Sequence, residues 1–169
     1  HAEDQALFLD KTFLPIAVNL KDKLQTLKAI ILMGPRDEEA AEQLDDLLFY
    51  DELIETGDDN FSWPDIDENS PSSLCYTSGT TGRPKGVMLS HNNVVSNAME
   101  SSKRLDIDYG NAKCLSFLPV CHIYERMMIY LYQYTGVTVH YAPIDQISEY
   151  IKDAKPHVMT AVPRLLEKV

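Results

Sequence analysis

The sequence lacks a long hydrophobic run. The longest unbroken apolar stretch in its second half, Met127 to Tyr132, is far shorter than the roughly 20 residues that cross a bilayer. Nothing at its start resembles a signal peptide. The chain opens at His1 rather than at Met and stops at Val169 in an apolar, helix-like run. We therefore expect a piece of a longer protein that has no membrane span in this segment.

Cysteine is scarce as well. The three cysteines form no C-x-x-C pair and leave an odd number, Cys75, Cys114 and Cys121. This pattern argues against a secreted disulfide framework and favours a reducing compartment. We expect a cytoplasmic protein, or one that is peripheral at a membrane when full-length. The composition, 44% apolar and 24% charged, also excludes collagen-like and low-complexity classes.

Basic residues are nearly absent from one block of the chain. The net charge is −11, and residues 36–70 hold fourteen acidic residues against one basic residue, while the flanking segments are close to balance. A block of this kind usually forms a solvated surface and repels polyanions, so nucleic acid is not expected as a partner. The chain could also belong to a different functional class from the enzymes. In that case it would be a non-catalytic module that binds nucleotide, or that binds a protein through this acidic block.

The first part of the chain predicts a partial α/β segment. Leucines at helical spacing between residues 20 and 27 predict a helix, and the apolar run 29–33 predicts a buried strand. The acidic block predicts one or two exposed helices. Residues 57–73 are rich in turn-forming residues and predict a linker. We therefore divide the chain into a segment 1–70 with an acidic surface and a core segment 71–169.

The core segment alternates between helical and strand patterns, which predicts an α/β fold with largely parallel strands. A helix is expected after Ser90, and the helix expected at 123–134 is apolar nearly all round, which predicts burial. The remaining elements are the strands 114–120, 137–141 and 158–162 and a helix at 144–154.

The stretch Tyr76 to Gly86 reads Y-T-S-G-T-T-G-R-P-K-G and lies between two apolar runs. This arrangement predicts a hairpin whose tip is a long loop rich in Gly, Ser and Thr. Glycines let backbone N–H groups converge on an anion, hydroxyls add donors, and Lys85 is a mobile cation suited to a polyphosphate. No Ser or Thr follows the lysine, so this is not a Walker loop. Composition alone would fit a flexible surface loop equally well.

The whole of Tyr76 to Gly86 resembles, without a departure, the phosphate-binding signature of the adenylate-forming (AMP-binding) enzymes. These include acyl-CoA synthetases, luciferases and amino-acid-activating domains. The segment Pro119 to Arg126, P-V-C-H-I-Y-E-R, and the segment 162–168 are similar to long-chain fatty acyl-CoA synthetases. The likeness covers roughly residues 74–169, with a looser likeness from Leu20 onward.

This resemblance implies a fatty-acid–CoA ligase that uses ATP and Mg²⁺, with coenzyme A as co-substrate. The carboxylate would attack the α-phosphate of ATP, and the thiol of coenzyme A would then displace AMP. Lys85 would be the catalytic residue, and Thr77 would bind Mg²⁺. The phosphates would be held by Thr77, Ser78, Gly79, Thr80, Thr81, Gly82 and Lys85. A ligase for another carboxylic acid is the alternative within the family.

His122 has two interpretations, a core or capping histidine and a wall of the substrate pocket, and the resemblance supports the second. Glu125 and Arg126 lie in the first turns of a predicted helix, where an acid is favoured by the helix dipole, and we expect them to be structural. Cys121 beside His122 does not predict a nucleophilic dyad, because neighbours on an extended segment point to opposite faces.

Two later motifs of the family, Tyr-Gly-x-Thr-Glu and Thr-Gly-Asp, do not occur in these 169 residues. By resemblance they would supply a second magnesium ligand and the ribose contact, and a later small domain would supply the lysine needed for adenylation. We therefore expect that the remainder of the parent chain is required for activity and that this piece alone is inactive.

Overall fold

The computed structural model describes residues 2–77, 82 and 84–166, with the backbone alone at Arg164 and Leu166. The chain forms two compact units, one ending at Pro64 and the other beginning at Asp65. The expected boundary between residues 70 and 71 stays a prediction. No helix within the described ranges is both long and apolar enough to cross a membrane.

The first unit contains a parallel sheet with the strand order β1-β2-β3. Its elements are β1 (Ala6–Leu9), α1 (Leu14–Leu20), β2 (Ala29–Leu32), α2 (Glu38–Ala41), β3 (Leu47–Phe49) and α3 (Tyr50–Glu55). One apolar core holds these elements together and includes the buried side chains of Leu14, Leu32 and Phe49. The predicted strand after residue 28 is confirmed.

The helix expected between residues 20 and 27 is not present. Helix α1 ends at Leu20, a 3₁₀ turn continues to Lys23, and the backbone then leaves helical geometry. The amides of Lys28 and Ala29 donate to the carbonyl of Gln5, and the Thr26 hydroxyl donates to that of Asp4. These long-range hydrogen bonds stabilise a non-helical segment in place of the helix that the leucine spacing predicts.

The acidic block forms two short helices, as expected, and also strand β3, which the sequence did not predict. Phe49 ends this strand and is 1% exposed. The one basic residue of the block, Arg36, lies over the Phe49 ring at 5.2 Å. Its guanidinium also contacts the carboxylates of Glu38 and Glu52, at 2.8 and 3.6 Å, so this cation is surrounded by the local excess of acid.

The second unit contains an antiparallel hairpin and a parallel sheet with the strand order β7-β6-β8. Its elements are β4 (Pro71–Thr77), β5 (Lys85–Ser90), α4 (His91–Ser102), β6 (Lys113–Ser116), α5 (Ile123–Thr135), β7 (Thr138–Tyr141), α6 (Ile147–Ala154), β8 (Val158–Met159) and α7 (Pro163–Leu166). The expected α/β class with largely parallel strands and a hairpin is confirmed.

Strand β6 is the centre of the parallel sheet and is covered on both faces. On one face Cys114 packs with Tyr132 of α5. On the other face Leu115 packs with Ile147 of α6. Because successive side chains of a strand point to opposite faces, the two helices lie on opposite sides of the sheet.

Helix α5 is not buried all round, contrary to the sequence-based expectation. Tyr124 and Tyr134 are each 53% exposed. The buried side of the helix includes Glu125, Ile129 and Tyr132. The sheet and α4 cover only part of its surface, so apolar residues on the remaining side stay accessible among the described residues.

Candidate nucleotide-binding site

The hairpin places two of the predicted site residues directly opposite each other. Thr77 pairs with Lys85, and the next pair inward is Tyr76 with Gly86. Opposed residues of an antiparallel pair project their side chains to the same face. Thr77 and Lys85 therefore lie together, one on each strand where it joins the loop. The Thr77 hydroxyl is 3.5 Å from the carbonyl oxygen of Lys85.

The opposite face of the hairpin packs closely around Gly86. A Cβ atom at Gly86 would lie 3.0 Å from Leu74 Cδ1 and 3.4 Å from Tyr76 Cε1. The side chains of Leu74 and Tyr76 thus occupy the space that glycine leaves open. A larger residue at position 86 would require these side chains to shift, so the close packing on this face favours glycine.

The Lys85 side chain is available to an anionic ligand. Lys85 is exposed, and none of the ion pairs formed within residues 2–77, 82 and 84–166 involves it. Gly82, also a predicted phosphate-binding residue, has φ of 87° and open space around its α-carbon. That conformation favours glycine. An ammonium and a left-handed glycine therefore lie in the same short segment.

Four further predicted phosphate-binding residues, Ser78, Gly79, Thr80 and Thr81, lie outside the described residues. Their roles stay predictions. Of the predicted set, the structure brings together Thr77 and Lys85.

The Thr77 side chain is exposed, and its role as a magnesium ligand stays a prediction. The described ranges contain no group of three or more His, Cys, Asp or Glu residues able to hold a metal ion. Mg²⁺ usually keeps several waters and is bound through one or two carboxylates together with substrate phosphates. The neutral hydroxyl of Thr77 would therefore supply at most one oxygen to such a site, and a carboxylate ligand would have to come from elsewhere.

His122 is the N-cap residue of α5. Its amide donates to the Pro119 carbonyl (3.0 Å), and its own carbonyl accepts from the Arg126 amide (3.1 Å). The imidazole is exposed and makes no capping hydrogen bond. The interpretation as a core histidine is therefore wrong, and His122 caps the helix through its backbone alone.

A shallow cavity of about 320 Å³, largely open to solvent, lies at the carboxyl ends of β6 and β7, lined by Ser116, Phe117, Leu118, Val120, Tyr141, Ala142 and Pro143. Ligands of open parallel sheets bind outside this edge. The segment that leads to His122 thus borders the place where the fold would accept a substrate. The role of His122 in the pocket stays a prediction.

A buried carboxyl was missed by the sequence reasoning. Glu125 has no exposed surface, and Ser116 Oγ donates to its Oε1 at 2.5 Å. The helix dipole accounts for an acid in the first turn, and a structural role was expected, but nothing was predicted about its burial or its partner. The missed signal is spacing, since Glu125, Ile129 and Tyr132 recur at intervals of four and three residues and share one helix face.

The same region holds two groups whose titration is strongly shifted. Burial, together with the nearby Glu125 carboxyl, raises the pKa of the Cys114 thiol to about 12. Burial also raises the pKa of Tyr132 to about 12, although the neighbouring Thr160 hydroxyl opposes the shift. Both groups stay protonated near neutral pH, so Cys114 is not a candidate thiolate nucleophile.

The chain matches known acid–CoA ligases in sequence. A family model described as AMP-binding enzyme matches residues 1–169. A 3-methylmercaptopropionyl-CoA ligase of Ruegeria lacuscaerulensis is 50% identical over 124 residues, 73% of this chain and 23% of the relative. Long chain acyl-CoA synthetase 7, peroxisomal, of Arabidopsis thaliana is 30% identical over 178 residues, 100% of this chain and 25% of the relative.

The fold has close counterparts as well. A long-chain-fatty-acid-CoA ligase of Archaeoglobus fulgidus superposes with a TM-score of 0.78 at 22% identity, over 98% of this chain and 31% of that one. The chain spans about a quarter of the length of these curated relatives. Since the family model matches the chain from end to end and the relatives are acid–CoA ligases, the chain belongs to the AMP-binding family of adenylate-forming enzymes.

Proposed function

We propose that the protein is part of an ATP-dependent acid–CoA ligase whose substrate is a long-chain fatty acid. The carboxylate attacks the α-phosphate of ATP, which gives an acyl-adenylate and releases diphosphate. The thiol of coenzyme A then attacks the acyl carbon, which gives acyl-CoA and AMP. The observation that supports this proposal is the pairing of Thr77 with Lys85 at the end of the hairpin, within an unbroken phosphate-binding signature.

The role of Lys85 follows from where charge moves in the first step. As the bond to the α-phosphate breaks, negative charge grows on the leaving diphosphate. An ammonium held beside the loop stabilises that charge more than it stabilises bound ATP, which is the requirement for catalysis. The Thr77 hydroxyl, on the same face, donates to a phosphate oxygen or binds Mg²⁺. When bound, Mg²⁺ would neutralise phosphate charge.

Replacing Lys85 by Ala in the full-length enzyme tests this assignment. A hydrogen bond to a charged group contributes about 1.5–3 kcal/mol, so adenylation should slow roughly ten- to hundredfold. The measurement is exchange of labelled diphosphate into ATP with saturating acid. Lys103→Ala is the matched control, because Lys103 is exposed at the C-terminal end of α4 and pairs with Glu100. Exchange at the wild-type rate in Lys85→Ala would refute the assignment.

A second kind of acid is also a candidate for the substrate. The segment Pro119 to Arg126 and the match of the plant long-chain synthetase to the whole chain support a long-chain fatty acid. The 50% identity to the 3-methylmercaptopropionyl-CoA ligase over 73% of the chain favours a short substituted acid. The ratio of kcat/KM for palmitate to that for 3-methylthiopropionate in the full-length enzyme separates the two. A ratio below one would overturn the long-chain proposal.

A further inference from the structure

One buried side-chain hydrogen bond closes the segment between β6 and α5. Ser116 is the last residue of β6, and Glu125 lies in the first turn of α5. The hydroxyl of Ser116 donates to Oε1 of Glu125 across nine residues of chain, and the two residues are 2% and 0% exposed. The bond therefore ties the end of the strand directly to the first turn of the helix and encloses residues 117–124, of which 117–122 connect the two elements.

The enclosed segment borders the cavity at the carboxyl edge of the parallel sheet. Phe117, Leu118 and Val120 line that cavity, and so does Ser116 itself. His122 follows two residues after Val120, and its amide donates to the Pro119 carbonyl. A change in the distance between Ser116 and Glu125 would therefore move the cavity wall and the exposed imidazole together.

The arrangement is unfavourable for stability alone. The second oxygen of Glu125, Oε2, is buried and has no hydrogen-bond partner among the described residues. Taking a carboxyl out of water without full hydrogen bonding costs free energy. Replacement of buried ionic groups by apolar residues of similar volume is often neutral or stabilising. A buried carboxyl that bridges the two ends of a pocket segment thus suggests a role in shaping that segment.

We propose that Glu125 is a positioning residue for the acid substrate: by accepting the Ser116 hydrogen bond, it holds residues 117–122 as the wall against which the acyl group binds. It acts through the segment and does not touch ATP. This inference rests on the proposed ligase function. It adds the hydrogen bond that shapes the acyl side of the site.

Two substitutions of similar length separate the hydrogen bond from simple packing. Glu125→Gln keeps a carbonyl oxygen that can accept from Ser116, whereas Glu125→Met fills similar volume and accepts nothing. In the full-length enzyme we expect Glu125→Met to raise the KM for the acid several-fold, the order that the loss of one buried hydrogen bond supports. The KM for ATP and kcat should change less than twofold. Glu125→Gln should restore the wild-type KM, and Glu149→Met, at an exposed position of α6, is the control.

A second measurement is independent of turnover. Backbone amides of residues 117–124 should exchange hydrogen for deuterium faster in Glu125→Met than in Glu125→Gln or wild type, while α4 amides keep their rates. If Glu125→Met does not fold, Ser116→Ala removes the same bond and carries the same expectations.

Three outcomes would overturn the proposal. The first is an unchanged KM for the acid in the variant that lacks the bond. The second is an equal loss for acid and ATP, which marks a general structural defect. The third is a Gln variant as impaired as the Met variant. If the wild-type enzyme makes no acyl-CoA from any acid, the ligase proposal fails instead, and amide exchange still shows whether the bond holds the segment.

Discussion

The buried thiol of Cys114 and the buried phenol of Tyr132 predict a specific loss of stability in alkali. Burial raises the pKa of Cys114 from 9.0 to about 12, and that of Tyr132 from 10.0 to about 12. Each group is neutral when protonated, so the fold favours the protonated form. Once the chain unfolds, both groups return to water and release their protons at lower pH.

The sign and size of this change in the free energy of unfolding follow from proton linkage. Above pH 9 the unfolded chain binds fewer protons than the folded chain, so the free energy of unfolding falls as pH rises. The contribution of Cys114 is fully present below pH 9 and is lost between pH 9 and about 12. The slope approaches about 1.4 kcal/mol per pH unit, which amounts to roughly 4 kcal/mol over the window. Tyr132 adds a similar slope between pH 10 and about 12.

Cys114→Ala isolates the effect of the thiol. The variant loses some packing at every pH, but its stability should fall less steeply than that of the wild type above pH 9. Urea unfolding followed by circular dichroism, with reductant present, at pH 8, 9, 10 and 11 measures both slopes. Cys121→Ala is the control, because Cys121 is exposed and its thiol stays in water in both states. Parallel curves for wild type and Cys114→Ala would refute the argument.

Two helix ends give smaller, separate predictions. Ser90 and Asn93 form a reciprocal capping box at the start of α4, so Ser90→Ala should lower the free energy of unfolding by about 1 kcal/mol, measured from the urea midpoint. Gly136 ends α5 with φ of 68°, and Gly136→Ala should cost about 1–2 kcal/mol because a Cβ disfavours that geometry. Gly136→Asn should cost less, since asparagine adopts this conformation more readily; equal losses for Ala and Asn would contradict this reason.

The hairpin and α4 could be predicted because their signals are local. Apolar runs flank the glycine-rich loop, and the polar residue Ser90 precedes a helical pattern. The residues that specify the strands, the turn and the helix cap therefore lie within a few positions of those elements in the sequence. The facing pair of Thr77 and Lys85 then followed from strand pairing once the hairpin formed.

Elements that depend on distant partners could not be predicted. Strand β3 is three residues long within an acidic block, and its parallel pairing with β2 creates it. Residues 24–28 are not helical, because this segment donates hydrogen bonds to the carbonyls of Gln5 and Asp4. The hydrogen-bond partner of Glu125 is Ser116, nine residues away on another element. The spacing of Glu125 with Ile129 and Tyr132 could have placed it on the buried face of α5, but no local pattern identified this partner.

The pairing of Thr77 with Lys85 limits how this part of the chain can change in length. Because side chains alternate between faces, one residue inserted into β5 between Lys85 and Gly86 would turn Lys85 away from Thr77. Two inserted residues would return it to the original face, two pairs further out. Insertions within the loop leave the register of both strands intact. Length variation compatible with function should therefore be confined to the loop or occur in even steps along the strands.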